Sequence, residues 1–258
     1  MDSTTLARLE HANLVEAIAT VAALSPQSLI VRDRGVALIA TGLPLRLFNQ
    51  VLVESDEATE AGVEAAVART RERGDRFVVN LRGGTDDRFA PLMQRLGLVP
   101  VSETSWLPGL ALHPLPAGIA ADIADHEIRR IKDAAGVEDH VVAASAGFEM
   151  SESLLRGIVD AALLKQPAVT LYVGYVSGAP VSTGLGVRTG RTIGVYNIST
   201  IPAFRKRGLG AAMTTRVAAD GARAGCDVAI LQATAMGLPV YQRLGYRVVV
   251  DYVGYVEA

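Results

Sequence analysis

The sequence predicts an α+β fold of two tandem units, layered α/β/α, each with a mixed, mostly antiparallel sheet. Three observations lead there. The second half strings β-rich runs together through short glycine turns, which reads as consecutive hairpins. It then passes from a strand through a glycine-rich turn into a helix and on to another strand, a crossover that sets two strands parallel. Finally, Pro91-Leu-Met-Gln-Arg-Leu-Gly-Leu98 matches Pro239-Val-Tyr-Gln-Arg-Leu-Gly-Tyr246 at a separation of 148 residues, the mark of an internal repeat.

In chain order, Met1 to Leu24 is amphipathic, with Leu6, Leu9, Ile18 and Val21 apolar and Arg8, Glu10, His11 and Glu16 interrupting them. No basic start precedes a long apolar core, so the segment reads as neither signal peptide nor membrane span. The 148-residue offset also lays Phe48-Asn49 on Tyr196-Asn197. Residues 57–73 are helical in pattern through Val63 and Val67, and Arg76 to Asn80 is a strand. The first half therefore repeats the order strand, helix, strand, helix. Leu107 to Gly118 holds three prolines and is the expected boundary, giving units 1–112 and 118–258.

In the second unit, Glu127 to Ile131 reads as a strand, with helices near Asp133 to Ser145 and Ser151 to Leu164. Thr170 to Val176, the turn Ser177-Gly-Ala-Pro180, Val181 to Val187 and the turn Thr189-Gly-Arg191 form two hairpins leading into Thr192 to Ile198. Pro202 blocks further strand. Leu209, Met213 and Val217 recur at i, i+4, i+8, a helical face that stops at Gly225. Val228 to Ala233 is the next strand, and Tyr246 to Val256 closes the chain as one or two more.

Composition narrows the function. With 25 Lys and Arg against 27 Asp and Glu, the net charge of −2 gives no electrostatic case for nucleic acid. A single cysteine, Cys226, excludes an intrachain disulfide and a cysteine-cluster zinc site and fits a reducing, cytoplasmic setting. The four histidines show no metal-ligand spacing, so no metal is expected. A Rossmann fingerprint would need glycine or alanine at Met213, and neither a GxxxxGK[ST] loop nor a GxSxG elbow is present.

The chemistry-bearing motif is Arg205-x-x-Gly208-x-Gly210, between a strand and a helix. Main-chain N–H groups at a glycine-opened helix start, with the positive end of the helix dipole behind them, bind a diphosphate with no obligatory side chain. The cluster Arg205-Lys206-Arg207 opposes that dipole unless an anion sits there. Thirty-six residues past Arg205, Thr234-Ala-Met-Gly237-Leu-Pro-Val-Tyr241-Gln-Arg-Leu-Gly245-Tyr246 follows a strand. The order strand, Arg-x-x-Gly-x-Gly, helix, strand, Tyr-x-x-Leu-Gly-aromatic resembles the Gcn5-related N-acetyltransferase (GNAT) superfamily over about residues 118–258.

That resemblance implies acetyl-CoA as co-substrate and transfer of its acetyl group to a primary amine of a small molecule or peptide, by direct attack. It implies that main chain at Ile198, Ser199 and Thr200 receives the pantetheine arm and the thioester oxygen. It further implies a diphosphate cradle from Arg205 through Lys206, Arg207, Gly208, Leu209 and Gly210 to Ala211, a coenzyme contact at Thr234, and Tyr241 as general acid. The glutamates that relatives often use as base fall at about Gly194 and Ala229, where neither residue accepts a proton. A water chain, Glu138, His140, Glu149 and the Ala258 carboxylate are the substitutes considered. The missing base supports an alternative, a non-catalytic acyl-CoA-binding sensor. In the first half the loop position holds Asp56, Glu57 and Glu60 and no cation, and Met93 stands where Tyr241 would. That half is expected to be a degenerate companion. A homodimer is compatible with the sequence.

Overall fold

The computed structural model describes residues 1–101, 108–115 and 125–258. Helix α1 (Ser3–Ala22) starts under an Asp2 cap that accepts from the Thr5 N–H at 2.8 Å. Strands β1 (Leu29–Asp33) and β2 (Val36–Ala40) form a hairpin across Arg34-Gly35, both at positive φ as a tight two-residue turn requires. There follow β3 (Asn49–Val53), α2 (Glu60–Arg73), β4 (Val78–Arg82), α3 (Ala90–Arg95), β5 (Leu98–Pro100) and β6 (Gly109–Leu112). The second half runs β7 (His126–Arg130), α4 (Ala134–Phe148), α5 (Glu152–Arg156), β8 (Val169–Val176), β9 (Ala179–Thr189), β10 (Thr192–Thr200), α6 (Leu209–Arg223), β11 (Val228–Gln232), α7 (Leu238–Arg243), β12 (Arg247–Val250) and β13 (Tyr252–Glu257).

The sheets are ordered β1-β2-β3-β4-β13-β5 and β12-β6-β11-β10-β9-β8-β7. Both are antiparallel except where a helix crosses over, at β3 with β4 and at β10 with β11. This is the mixed α+β architecture expected. The halves exchange strands. The last strand, β13, inserts between β4 and β5 of the first sheet, while β6 inserts between β11 and β12 of the second. A cut between residues 112 and 118 thus divides the chain but not the sheets; part of the expected Leu107 to Gly118 boundary lies outside the described residues.

The 148-residue offset recurs between helices and extends less far into the strands. α3 and α7 begin 148 residues apart, at Ala90 and Leu238. The parallel pairing, however, sets Gln50 opposite Val78 and Thr192 opposite Val228. Asn49 therefore precedes the paired segment, and Asn197 lies well beyond it. Nothing in β3 corresponds to the far end of β10. The start of α2 also differs from that of α6: Thr59 Oγ1 accepts from the Gly62 N–H at 3.1 Å and Glu60 sits in the first turn.

Helix α1 is the wedge between the sheets. Leu6 packs with Ala111, Val228 and Ile230, Ala17 joins the core under α4, and Val15 and Ala22 meet Ala37, Ile39 and Leu52 of the first sheet. Burying each large apolar side chain contributes roughly 1.5–3 kcal/mol, so a helix buried on two sides ties both sheets together. Its polar residues are buried too. Glu10 accepts from Gln232 Nε2 at 2.6 Å, and its carboxyl occupies the space a side chain at Gly109 would need.

The Tyr252 hydroxyl stands 2.7 Å from Glu10 Oε2 and 2.9 Å from His11 Nδ1, and it has one hydrogen for the two. His11 Nε2 lies 2.7 Å from the Val53 carbonyl, which only accepts. If Glu10 is protonated, its O–H donates to Tyr252, Tyr252 donates to Nδ1, and Nε2–H donates to Val53. If Glu10 is ionised, Tyr252 turns to it and the imidazole must carry both hydrogens. Either way the Glu10–His11 pair retains one proton, and losing it breaks a buried hydrogen bond. Desolvation pushes the Glu10 carboxyl up to about 7 and the His11 ring down to about 4, favouring the first arrangement. Arg82, ion-paired with Asp86 at 2.8 Å, and Tyr196 are the other titratable groups whose charge bears on this seam.

The sign for Glu10 follows from a folded pKa above the unfolded one. Its protonated form is favoured in the native state, so its contribution is greatest below the unfolded value near 4.5 and is lost as pH rises through about 7. His11, lowered to about 4, acts oppositely and loses stability as pH falls below about 6.5. We expect Glu10→Gln, which keeps the hydrogen-bonding shape without a charge, to gain Tm relative to wild type by a few degrees between pH 5 and pH 8. Thermal denaturation of both proteins across that range is the check; a constant difference would place the retained proton elsewhere.

Candidate functional site

The second sheet parts between its two parallel strands. β10 and β11 pair only from Thr192 opposite Val228 to Gly194 opposite Ile230. Beyond that, β10 continues to Thr200 along β9, while Leu231 and Gln232 of β11 pair with β6. At the parting β10 bulges: Tyr196 pairs with Leu185 and Ser199 with Thr183, so three steps on β10 oppose two on β9. The extra residue turns the strand through Asn197, at φ 52°. Buried Thr183 donates to the Asn197 carbonyl at 2.8 Å, leaving its oxygen to accept from Ser199 at 2.7 Å. Ser199 also fills the space beside Gly147 of α4, where a Cβ would come within 2.6 Å of its Oγ. Its side chain is thus committed, and only its main chain can face a ligand.

Beyond Thr200, Pro202–Phe204 makes one 3-10 turn and the loop enters α6. The Arg205 guanidinium turns inward: it donates to the Thr200 carbonyl at 3.2 Å and to the Gly147 carbonyl at 2.8 Å, and meets Glu149 at 3.2 Å. It caps the last turn of α4 and pins the loop to it. Arg207 donates to the Ala203 carbonyl at 3.2 Å and lies over the Phe204 ring at 4.7 Å. Lys206 is exposed, with no ion pair among the described residues. The backbone takes left-handed values at Lys206 (63°) and Gly208 (84°), a geometry that turns successive N–H groups to one side. Among the described residues no side chain caps α6, and its Ala212 N–H is bonded back to the Gly208 carbonyl. The N–H groups of Leu209, Gly210 and Ala211 precede it in the first turn, where a helix offers no internal acceptor.

Gly210 faces Ile198 and Thr200 across this opening. A Cβ there would lie 3.7 Å from Thr200 Oγ1 and 3.9 Å from Ile198 Cγ2, ordinary contact distances, and its φ is not left-handed. Among the described residues nothing demands glycine there, although alanine would favour the helix by about 1 kcal/mol. A glycine at such a point suits close approach of a group from outside. Gly194 is the contrast, since its Cβ would overlap Asn13 Oδ1 and the Tyr196 ring.

Past β11, Thr234 Oγ1 accepts from the Gly237 N–H at 3.1 Å and shapes the turn into α7, so its hydroxyl is engaged locally. Tyr241 is half-buried on α7, and desolvation pushes its phenol up to about 12. Its hydroxyl makes no hydrogen bond among the described residues. The Tyr246 ring stands edge-on to it at 6.2 Å, fully buried with its hydroxyl unsatisfied among the described residues. The positions considered for a base provide none that is free. Asn13 fills the space at Gly194, Ala229 is buried, and Glu138 is ion-paired to Arg156 at 2.5 Å. Glu149 pairs with Arg205, and Ala258 follows β13 into the first sheet. His140, considered as a residue titrating near neutrality, is instead fully buried and lowered to about 4 by desolvation.

Sequence reasoning passed over Glu10 and Asn13, which look like surface residues of an amphipathic helix. Asn13 Nδ2 donates to the Val187 carbonyl at 3.0 Å and to Thr189 Oγ1 at 2.8 Å, and Tyr196 donates to Asn13 Oδ1 at 2.7 Å. The only hint was Gly194, a glycine in mid-strand, which signals close approach of another element.

A parted pair of parallel strands, a bulge facing the gap and a glycine-opened helix start beside it make up a layout that matches GNAT-like folds. Residues 121–232 match the family model described as an acetyltransferase (GNAT) domain. Among solved structures, the chain is similar to a GCN5-related N-acetyltransferase from Kribbella flavida (17% identity, 95% of each chain covered, TM-score 0.70). It is also similar to a GCN5-related N-acetyltransferase from Sphaerobacter thermophilus (18% identity, 86% of this chain and 80% of that one, TM-score 0.60). A third is a tandem GNAT protein from the clavulanic acid biosynthesis pathway (14% identity, 95% of this chain and 93% of that one, TM-score 0.62). At these identities the likeness is one of fold. A search of curated proteins returned no match. No described helix is long and apolar enough to cross a membrane.

The two glycines separate packing from ligand approach. Gly210→Ala is expected to hold or raise Tm, and Gly194→Ala to lower it by several degrees through overlap with Asn13. Equal losses in thermal denaturation would mean that Gly210 too is a packing residue.

Proposed function

We propose that the chain is an N-acetyltransferase that moves the acetyl group of acetyl-CoA to a primary amine of a small molecule or peptide at one site in its second half. The observation that carries the reading is Gly210, open on the outside and unneeded on the inside, next to unsatisfied N–H groups and to Ile198 and Thr200 of β10. Main chain from Lys206 to Ala211 would hold the diphosphate. Main chain at Ile198, Ser199 and Thr200 would take the pantetheine arm and face the thioester oxygen, where donors stabilise the oxyanion. Arg205 would serve by shaping the loop.

Bound coenzyme supplies the activated acetyl group. Tyr241, neutral over the physiological range, would donate a hydrogen bond to the sulfur as negative charge develops. Full proton transfer from a phenol near 12 to a thiolate near 8.5 is uphill by about 5 kcal/mol, so the donated bond is the larger part of its role. With no free carboxylate at Gly194 or Ala229, the amine would give up its proton to water. In this reading the first half is a degenerate companion that shares strands with the second, and the protein acts in the cytoplasm. Asn13 in the space of a base favours one alternative, an acyl-CoA-binding sensor without turnover.

Isothermal titration with acetyl-CoA tests the reading. Binding at one site is expected, lost in Gly210→Asp with Tm held within a few degrees; no binding by the folded wild type would retire it. Tyr241→Phe is expected to lower turnover in an amine-acceptor screen with thiol detection by at least about tenfold, with acetyl-CoA affinity within about threefold. Unchanged turnover would make Tyr241 a packing residue, and binding without turnover of any amine would favour the sensor.

A further inference from the structure

Resting on the reading above that the β10 bulge receives the thioester end of acetyl-CoA, we propose that His140 is a positioning residue that fixes the bulge through Asn197. His140 projects from α4 into the sheet and is wholly buried. Its Nδ1 lies 3.1 Å from the Tyr172 carbonyl of β8, and its Nε2 lies 2.8 Å from Asn197 Nδ2. A carbonyl only accepts, so Nδ1 bears the hydrogen. An amide NH₂ only donates, so Nε2 offers its lone pair. The two partners define one neutral tautomer, and burial keeps the ring neutral.

The consequence reaches the strand. Turning the Asn197 amide over would set its oxygen against Nε2, which is stable only if the ring carries a second hydrogen. A neutral ring forbids that. Asn197 is therefore held with its NH₂ inward, and its backbone is held in the left-handed region at φ 52°, with its carbonyl fixed by Thr183. The residue's three attachments, to α4, to β9 and along β10, set the direction of the next peptide, whose N–H belongs to Ile198. His140 thus supports main chain that a thioester would meet without touching it, and its neutrality, which disqualifies it as a base, is what this task requires.

The test compares two substitutions that each keep half of the ring's bonding. His140→Gln places an acceptor near the Nε2 position for Asn197. His140→Asn keeps a donor near the Tyr172 carbonyl and loses Asn197. Calorimetric titration of the full chain with acetyl-CoA is expected to show an affinity loss of about tenfold for His140→Asn and less than about threefold for His140→Gln. Asn197→Gly, which tolerates positive φ, is expected to match His140→Asn, and the double variant to be no weaker than either single one. Equal losses in both His140 variants, or additive losses in the double variant, would reduce His140 to a packing role. Ring ¹⁵N shifts of wild-type His140 provide a check independent of the coenzyme. The Nδ1–H tautomer is expected throughout pH 5–8; an Nε2–H or doubly protonated ring would overturn the pairing even if acetyl-CoA binds. If wild type fails to bind acetyl-CoA while the ring shows that tautomer, the function reading fails and the His140–Asn197 lock stands.

Discussion

Where β10 leaves β11, after Gly194, a sheet otherwise continuous in hydrogen bonds opens a gap lined by main chain. Buried peptide groups are costly to leave unpaired, so such a parting has to be supported from both faces. On one face α4 does this: Gly147 lets Ser199 in, Arg205 ties the loop to the helix end, and His140 holds Asn197. The opposite face is filled by Met213 and Val217 of α6 with Tyr241 and Tyr246 beyond them. Everything attributed to the candidate site follows from this parting. The bulge exists because one strand edge stays on β9 while the other is free, and the helix start sits beside the gap because the crossover leaves β10 at that point.

The first half is bound to this arrangement by more than a linker. α1 fills the face of β10 and β11 that a shorter chain would leave open, and Asn13 presses so close that residue 194 must be glycine. The strand exchange makes the coupling reciprocal, since β6 and β13 each complete a sheet built mostly by the other half. Glu10, His11 and Tyr252 stitch the junction with hydrogen bonds that require one retained proton. Each sheet takes a strand from the other half, β13 in the first and β6 in the second, so the halves are expected to unfold together.

Sequence carried the second half well because its signals are local. Hairpin turns at Ser177-Gly178 and Thr189-Gly190, the proline after β10 and the glycines before α6 each act within a few residues, and the strands and α6 lie where those signals put them, whereas the helix expected over Ser151 to Leu164 is broken into α5 and a 3-10 turn at Ala161–Lys165. What was hidden is non-local. Alternating valines in β12 and β13 announce strands without saying which sheet takes them, and residues 109–112 fall in a stretch whose prolines suggest a linker. Glu10 and Asn13 are polar residues on a helix that composition treats as half solvated, and only a partner on each side turns them inward. His140 was visible as a lone histidine, yet burial reverses its chemistry from a group that titrates near neutrality to a fixed neutral prop. The internal likeness was legible in α3 and α7, where five of eight aligned residues are identical, and misled at Asn49, because equal spacing in sequence does not survive a difference in strand length.

The central claim is that acetyl-CoA enters the gap between β10 and β11 and is held by main chain on both sides of it. The amide spectrum of the ¹⁵N-labelled chain, titrated with acetyl-CoA, reports on those groups individually. The account predicts saturable shifts concentrated at residues 198–200 and 206–211, with the start of α2 at residues 59–62 unmoved. Shifts centred on the first half, or a folded chain whose spectrum is unchanged at saturating coenzyme, would contradict it.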